Sequence, residues 1–250
     1  MPMAKQFVLE ICVESVELAV QAERGGARRI ELCSQLSLEG LTPSVEIMRQ
    51  AREQVSIPIH VMIRPRDGDF CYRDGELERM ANEILAAKRL AMDGIVLGIL
   101  RPNRTIDVAR TSKLVQLAHP LPVTFHRAFD QTIDLLQALE DVICAGARRI
   151  LTSGGRQRAV SGLRALEKLI AHAGSRIIIM PGGGINERNV RRIARTLPAR
   201  ELHCSLREHI PSPRLGHLGG FAQKVRKLSE LIAGNEGSTP AKSSPLHDFG

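Results

Sequence analysis

The chain has very little aromatic surface. Its 250 residues contain no Trp, one Tyr and six Phe, whereas proteins that bind single-stranded nucleic acid stack bases on such side chains. The arginines occur as scattered pairs between apolar positions, for example Arg28 with Arg29 and Arg148 with Arg149. We therefore expect no nucleic-acid partner, although the formal charge is +8 and the pI is near 9.7.

Long apolar runs and paired cysteines are also missing. No run reaches the roughly 18 apolar residues of a membrane-spanning helix, and segment 1–6 is too short and polar for a secretory signal. The five cysteines, at positions 12, 33, 71, 144 and 204, form no Cys-x-x-Cys pair and lack the dense spacing of a disulfide scaffold. These features predict a cytoplasmic protein with reduced thiols and no membrane partner.

Short apolar runs alternate with segments of helical spacing, a pattern typical of βα units around a parallel sheet. The predicted strands are 7–13, 29–34, 59–65, 94–100, 122–129, 148–154, 176–182 and 201–205. The predicted helical segments are 15–24, 43–53, 76–91, 133–145, 162–173, 187–196 and 221–233. With 43% hydrophobic residues, such a chain can bury a substantial core.

An internal repeat points to the number of units. The pentapeptide at 26–30, Gly-Ala-Arg-Arg-Ile, recurs at 146–150, and four units of about 30 residues fit that offset, which is half of an eight-unit barrel. Convergence on one helix–Gly–strand junction is the alternative. The predicted fold is α/β, a (β/α)₈ TIM barrel formed by residues 1–233 as a single domain, with 234–250 as a disordered tail rich in Gly, Ser and Pro.

Two glutamates interrupt apolar strands. Glu10 and Glu31 each stand between apolar neighbours, where a carboxylate is costly unless a cation lies close. Arg64 and His126, at the ends of later strands, are the expected partners. Catalytic groups of a barrel gather at the C-terminal ends of its strands, so these four are candidate catalytic residues. The alternative is a structural ion-pair network that braces the barrel.

Two cysteines accompany these glutamates. Cys12 follows Glu10 by two residues and therefore shares its strand face. Cys33 stands in the same relation to Glu31. Consecutive strands are usually neighbours about 4.8 Å apart, so the two thiols could together bind a soft ion such as Cu(I). A small buried hydrophobe is the alternative role of each cysteine, and zinc is not favoured because no clustered Cys/His spacing occurs.

A glycine run follows the seventh predicted strand. Exposed amides of Gly182, Gly183 and Gly184, at the start of a helix, would form an anion site at the usual phosphate position of a barrel. Hydroxyl and imidazole donors on flanking segments would complete it. These candidates are Thr152, Ser153, His203 and Ser205. The alternative is that the turn needs glycine for its geometry alone.

The chain resembles the CutC, or copper homeostasis protein, family over most of residues 8–205. The motifs read E-I-C-V-E-S at 10–15, R-I-E-L-C-S at 29–34, G-L-T-P-S at 40–44, I-R-P-R-D-G-D-F at 63–70, T-F-H-R-A-F-D at 124–130, L-T-S-G at 151–154 and M-P-G-G-G at 180–184. The resemblance implies a cytoplasmic, often oligomeric TIM barrel associated with copper tolerance, with Cu(I) ligands at Cys12 and Cys33. One departure is that segment 206–220 is shorter than in the family and lacks its Met-x-[Phe/Tyr]-Arg motif.

Three functions remain open on the sequence. The first is a copper homeostasis protein that binds Cu(I) at the two cysteines and forms a homo-oligomer. The second is an enzyme of unknown reaction acting on a small anionic or phosphorylated substrate, with Glu31 or His126 as acid or base and Arg64 as an electrostatic clamp. The third is a non-catalytic scaffold, because a fold does not imply a function.

Overall fold

The computed structural model describes residues 7–206 and 218–233. Within those ranges, eight strands alternate with eight α-helices. The strands are β1 (Val8–Val13), β2 (Arg29–Leu32), β3 (Ile59–Met62), β4 (Gly94–Leu97), β5 (Val123–Phe125), β6 (Arg149–Thr152), β7 (Ile178–Pro181) and β8 (Glu201–Cys204). The helices are α1 (Val16–Arg24), α2 (Val45–Gln54), α3 (Asp74–Arg89), α4 (Val108–Ala118), α5 (Leu135–Cys144), α6 (Leu163–Ala173), α7 (Val190–Thr196) and α8 (Leu218–Ala233).

The strands form one parallel sheet in chain order, with β8 paired to β1. The two end strands of the sheet, β7 and β8, lie side by side, so the sheet is a nearly closed barrel. The predicted TIM barrel is confirmed. No helix in the described part of the chain is long and apolar enough to cross a membrane.

Local sequence explains where the helices begin. Ser15 and Ser44 accept hydrogen bonds from backbone amides in the first turns of α1 and α2, and Asp107 does the same for α4. Each helix buries one stripe against the sheet; in α1 the stripe is Val16, Ala19 and Ala22. The strands are buried on both faces, as expected for a parallel sheet covered by helices.

The structure also corrects some element boundaries. The predicted fifth strand at 122–129 is wrong beyond Phe125, because the His126 side chain accepts the Ala128 amide and Arg127–Gln131 continues as a 3₁₀ helix. Helix α4 was not predicted, although Asp107 marks its start. The repeat holds: its copies enter β2 and β6, which are four strands apart. The predicted tail at 234–250 lies outside the described residues, as does most of segment 206–220.

Candidate functional site

A layer of buried ion pairs crosses the barrel interior. Arg29 on β2 donates to Glu10 on β1, and its Nη2 lies 2.5 Å from Glu201 Oε2 on β8. Arg149 on β6 donates from Nε to the same Glu201 oxygen at 3.0 Å. All four side chains are buried. We call these residues, Glu10, Arg29, Arg149 and Glu201, the ion-pair layer.

The expected partners of Glu10 were wrong. Strand register places Arg29 and His203 directly beside Glu10 on the two neighbouring strands, and His203 Nδ1 lies 2.8 Å from Glu10 Oε1. Although burial favours the neutral acid, Arg29 and His203 together hold the pKa of Glu10 well below its ordinary value. The structural ion-pair alternative therefore describes Glu10 well.

Arg64 and His126 have backbone partners instead. The Arg64 guanidinium donates to the carbonyl oxygens of Leu38 at 2.6 Å and Gly40 at 3.1 Å. His126 Nδ1 accepts the Ala128 amide at 3.2 Å. Both side chains are buried, and both lie at the C-terminal ends of their strands, as predicted.

The two cysteines meet as the period of the strands predicts. Cys12 Sγ lies 3.6 Å from Cys33 Sγ, and both residues are buried. The Cys33 thiol also lies 3.4 Å from the Val13 carbonyl oxygen. Cys12 is the register partner of Glu31, so one carboxylate stands beside the pair of sulfurs.

His203 connects the two glutamates. Its Nδ1 faces Glu10, and its Nε2 lies 4.0 Å from Glu31 Oε1. Burial lowers the pKa of His203, but Glu31 and Glu10 outweigh burial and raise it. Burial raises the pKa of Glu31 against the opposing charge of His203. The arrangement favours an imidazolium between one ionised carboxylate and one that retains its proton more readily.

Potential donor atoms of Cys12, Glu31 and His203 all lie within 4.8 Å of one another. The hydrogen bond with Cys33, then burial and the nearby Glu31, raise the pKa of the Cys12 thiol. Glu31 Oε2 is buried and has no hydrogen-bond partner within the described residues. The two sulfurs are donors that a soft metal ion prefers, and the carboxylate oxygen beside them adds a harder donor. We call Cys12, Cys33, Glu31 and His126 the mouth layer.

A cavity of about 810 Å³ opens above these residues. Eight of the predicted site residues line it: Cys12, Glu31, Arg64, His126, Gly183, Gly184, His203 and Ser205. Glu10, Cys33, Thr152, Ser153 and Gly182 are not among the lining residues. The structure therefore brings most of the candidates to one mouth and leaves the others behind it.

Asp130 explains the position of the two hydroxyl candidates. Thr152 Oγ1 donates to Asp130 Oδ1 at 2.5 Å, and Ser153 Oγ donates to Oδ2 at 2.9 Å. The turn after β7 differs, since Gly183 and Gly184 have φ values of +102° and +64°, which only glycine adopts easily. Helix α7 begins later than predicted, at Val190.

Sequence reasoning missed the arginines of this mouth. Arg127, Arg158 and Arg188 line the cavity. Arg127 pairs with Asp130 at 2.9 Å, and the Arg158 side chain lies against Gly184. The available signal was their position in the segments that follow β5, β6 and β7, where barrel sites form.

Comparisons with known proteins identify the family. Residues 7–208 match the CutC family. The human copper homeostasis protein cutC homolog is 50% identical over 204 residues, which are 82% of this chain and 75% of that protein. A CutC family protein of Vibrio cholerae is 46% identical over 212 residues, 84% of each chain.

Solved structures share the barrel fold. A crystal structure of the putative copper homeostasis protein CutC from Streptococcus agalactiae has a TM-score of 0.75 at 32% identity, and the match covers 79% of this chain and 98% of that one. Thiamine phosphate pyrophosphorylase from Pyrococcus furiosus, at 15% identity and a TM-score of 0.61 over 92% of this chain and 97% of that one, shares the fold alone. The motifs, the barrel and these relatives together show that the chain belongs to the CutC family of copper homeostasis proteins.

Proposed function

We propose that this CutC family member binds Cu(I) through Cys12 and Cys33. The observation that supports the proposal is the 3.6 Å separation of the two sulfurs, because thiolates are the donors that Cu(I) prefers. The two residues come from neighbouring strands, so the barrel itself holds them in place. Cys12 also lines the cavity, which gives an ion a way in.

Nearby groups would tune such a site. Glu31 places a carboxylate oxygen, and His203 a positively charged ring, close to Cys12. A metal ion replaces the thiol protons, and its positive charge would offset the negative charge that collects when both sulfurs and Glu31 are ionised. Glu10 supports the site indirectly, since it fixes the orientation of His203.

A Cu(I) competition titration under anaerobic, reducing conditions tests this proposal. We expect one ion per chain in the wild type and loss of tight binding in the double variant Cys12→Ala, Cys33→Ala. Cys144→Ala is the matched control, because Cys144 is exposed on α5, and it should bind as the wild type does. Tight binding of one ion that survives the double substitution would rule these ligands out.

The cavity supports a second candidate function, an enzyme that acts on a small anionic or phosphorylated substrate. A volume of about 810 Å³ is far more than one metal ion needs and falls in the range of small-molecule sites. Glu31 or His126 would act as acid or base, Arg64 would supply positive charge, and the Gly183–Gly184 turn would hold the anion beside Arg158. Ser205 and His203 would add donors on the same rim.

Titration with inorganic phosphate tests the anion site. The amide signals of Gly183 and Gly184 should shift in the wild type and respond less in Arg158→Ala. Arg176→Ala is the control, because Arg176 is an exposed arginine that precedes β7 and pairs with Glu140 away from the cavity. Phosphate that leaves the Gly183 and Gly184 signals unchanged would contradict this second function.

A further inference from the structure

We propose that His126 presents a hydrogen-bond donor to a carboxylate oxygen of a small ligand, beside the positive charge of Arg64. This proposal deepens the second function above and rests on it, since it concerns an organic anion in the same cavity. It assigns a subsite at the end of β5, two strands away from the glycine turn that follows β7.

The tautomer of His126 follows from its contacts. Nδ1 accepts the backbone N–H of Ala128 at 3.2 Å, so in the neutral ring the proton is on Nε2. His126 is only 4% exposed, and its Nε2 has no hydrogen-bond partner within the described residues. A buried donor without an acceptor is destabilising, and a ligand oxygen would remove that cost.

The ring is held in one position. A Cβ at Gly98, next to the end of β4, would stand 2.5 Å from both Cε1 and Nδ1 of His126, so the ring packs directly on the backbone there. On another side it contacts Phe70, with 4.9 Å between ring centroids. Such packing fixes the direction of the Nε2–H bond before any ligand arrives.

The charge around the ring favours an anion. Burial and the nearby Arg64 lower the pKa of His126 to about 3, so the ring stays neutral and keeps its Nε2 proton at physiological pH. The Arg64 guanidinium lies 5.1 Å from the centroid of Phe70, and Arg64, Phe70 and His126 all line the cavity. A permanent donor next to a permanent cation selects an acceptor that carries negative charge, and a carboxylate is a small one.

Phe70 packs beside this donor. Its ring contacts both His126 and Arg64, and Nε2 of His126 is buried. A ligand oxygen therefore reaches Nε2 only when side chains around the His126 ring shift. The segment between Arg64 and Phe70 is the part of the mouth that ligand binding should change.

Side-chain NMR of the full chain with ¹⁵N-labelled histidine tests the proposal. The His126 signals should show the Nε2–H tautomer without change between pH 5.5 and 8. Acetate should then shift the Nε2–H signal in a saturable manner, while acetamide, which has nearly the same shape and no charge, should not. A His126 ring that titrates near pH 6.5, or an Nε2–H signal that ignores acetate, would overturn the proposal.

Two substitutions separate the donor from the fold. His126→Asn keeps an acceptor near the Nδ1 position for the Ala128 amide and removes the Nε2 donor. His126→Gln places a donor near the Nε2 position. We expect acetate affinity, followed by the Gly98 and Ala128 amide signals, to fall about tenfold in the Asn variant, as for the loss of one charge-assisted hydrogen bond, and to be largely kept in the Gln variant. Equal loss in both would contradict a role for Nε2.

The phosphate titration separates this inference from the function on which it rests. If phosphate shifts Gly183 and Gly184 but acetate leaves His126 unchanged, the carboxylate subsite is wrong and the anionic-substrate function stands. If phosphate has no effect at the turn while acetate still shifts His126, the phosphate part of the second function fails and the carboxylate subsite stands.

Discussion

The ion-pair layer and the mouth layer meet on β1 and β2, yet their buried carboxylates differ in whether they have partners. Glu10 and Glu31 are both almost fully buried, at 0% and 2% exposure. Glu10 has a guanidinium and an imidazole as partners, whereas one oxygen of Glu31 has none within the described residues. The first layer is complete without a ligand, and the second is not.

The difference shows how to separate structure from function in a barrel interior. Buried charge alone marks both layers, so burial cannot identify the site. Unused donors and acceptors beside a cavity do distinguish the mouth layer, because a protein retains such groups at a cost. His203 connects the two layers, since its Nδ1 contacts Glu10 and its Nε2 faces Glu31.

The largest expected effect comes from the same substitution made in each layer. Glu10→Gln leaves the buried Arg29 with an incomplete partner, and we expect the free energy of unfolding to fall by about 3–5 kcal/mol. Glu31→Gln should change it by less than ~1 kcal/mol, because burial already favours the neutral form of this side chain. Urea denaturation at pH 7 measures both. Equal losses would remove the distinction between the layers.

Gly94 in β4 and Gly98 directly after it provide a second matched pair of substitutions. A Cβ at Gly94 would stand 2.4 Å from the His60 ring, and a Cβ at Gly98 would stand 2.5 Å from the His126 ring. The overlaps are similar, but of the two rings only His126 borders the cavity, so a Cβ that forces this ring from its packed position displaces it toward open space and not into packed side chains. We expect Gly94→Ala to destabilise by about 1–3 kcal/mol and Gly98→Ala to cost less. A larger loss for Gly98→Ala would show that the mouth is as rigid as the interior.

The free energy of unfolding at acid pH depends on two buried histidines, His60 on β3 and His126 after β5. Burial is the main cause that lowers the pKa of both His60 and His126 to about 3. Between pH 6.5 and 3 the unfolded chain binds protons that the folded chain refuses, so stability present above pH 6.5 is lost as the pH falls. Each histidine contributes a slope of up to about 1.4 kcal/mol per pH unit.

His60→Asn and His126→Asn should each reduce the slope of unfolding free energy against pH, measured by urea denaturation at pH 4.5, 5.5 and 6.5. An unaltered slope in both buried-histidine variants would mean that these rings are charged in the folded protein.

Much of the fold could be predicted because strand and helix periods are local properties of the sequence. The meeting of Cys12 with Cys33 followed from the period of two and from the pairing of consecutive strands. The partner of Glu10 was missed, although Arg29 stands two residues before Glu31 and therefore shares its strand face. Register between strands decides that Arg29 lies beside Glu10, and register depends on the closed barrel as a whole.

The paths of the loops could not be predicted from the sequence either. The acceptors of Arg64 are carbonyl oxygens of Leu38 and Gly40, which carry no side-chain signal. The hydrogen bonds from Thr152 and Ser153 to Asp130 depend on the path of the segment after β5. Both contacts link segments that follow different strands, so no local pattern reveals them.

Copper K-edge X-ray absorption on the protein loaded with one equivalent of Cu(I) tests the central claim most directly. If Cys12 and Cys33 bind the ion, the spectrum of the wild type should show ligation by two thiolate sulfurs. The double variant Cys12→Ser, Cys33→Ser should lose that signature. A first coordination shell of nitrogen and oxygen alone, or an identical spectrum from the double variant, would contradict the assignment of Cys12 and Cys33 as the metal site.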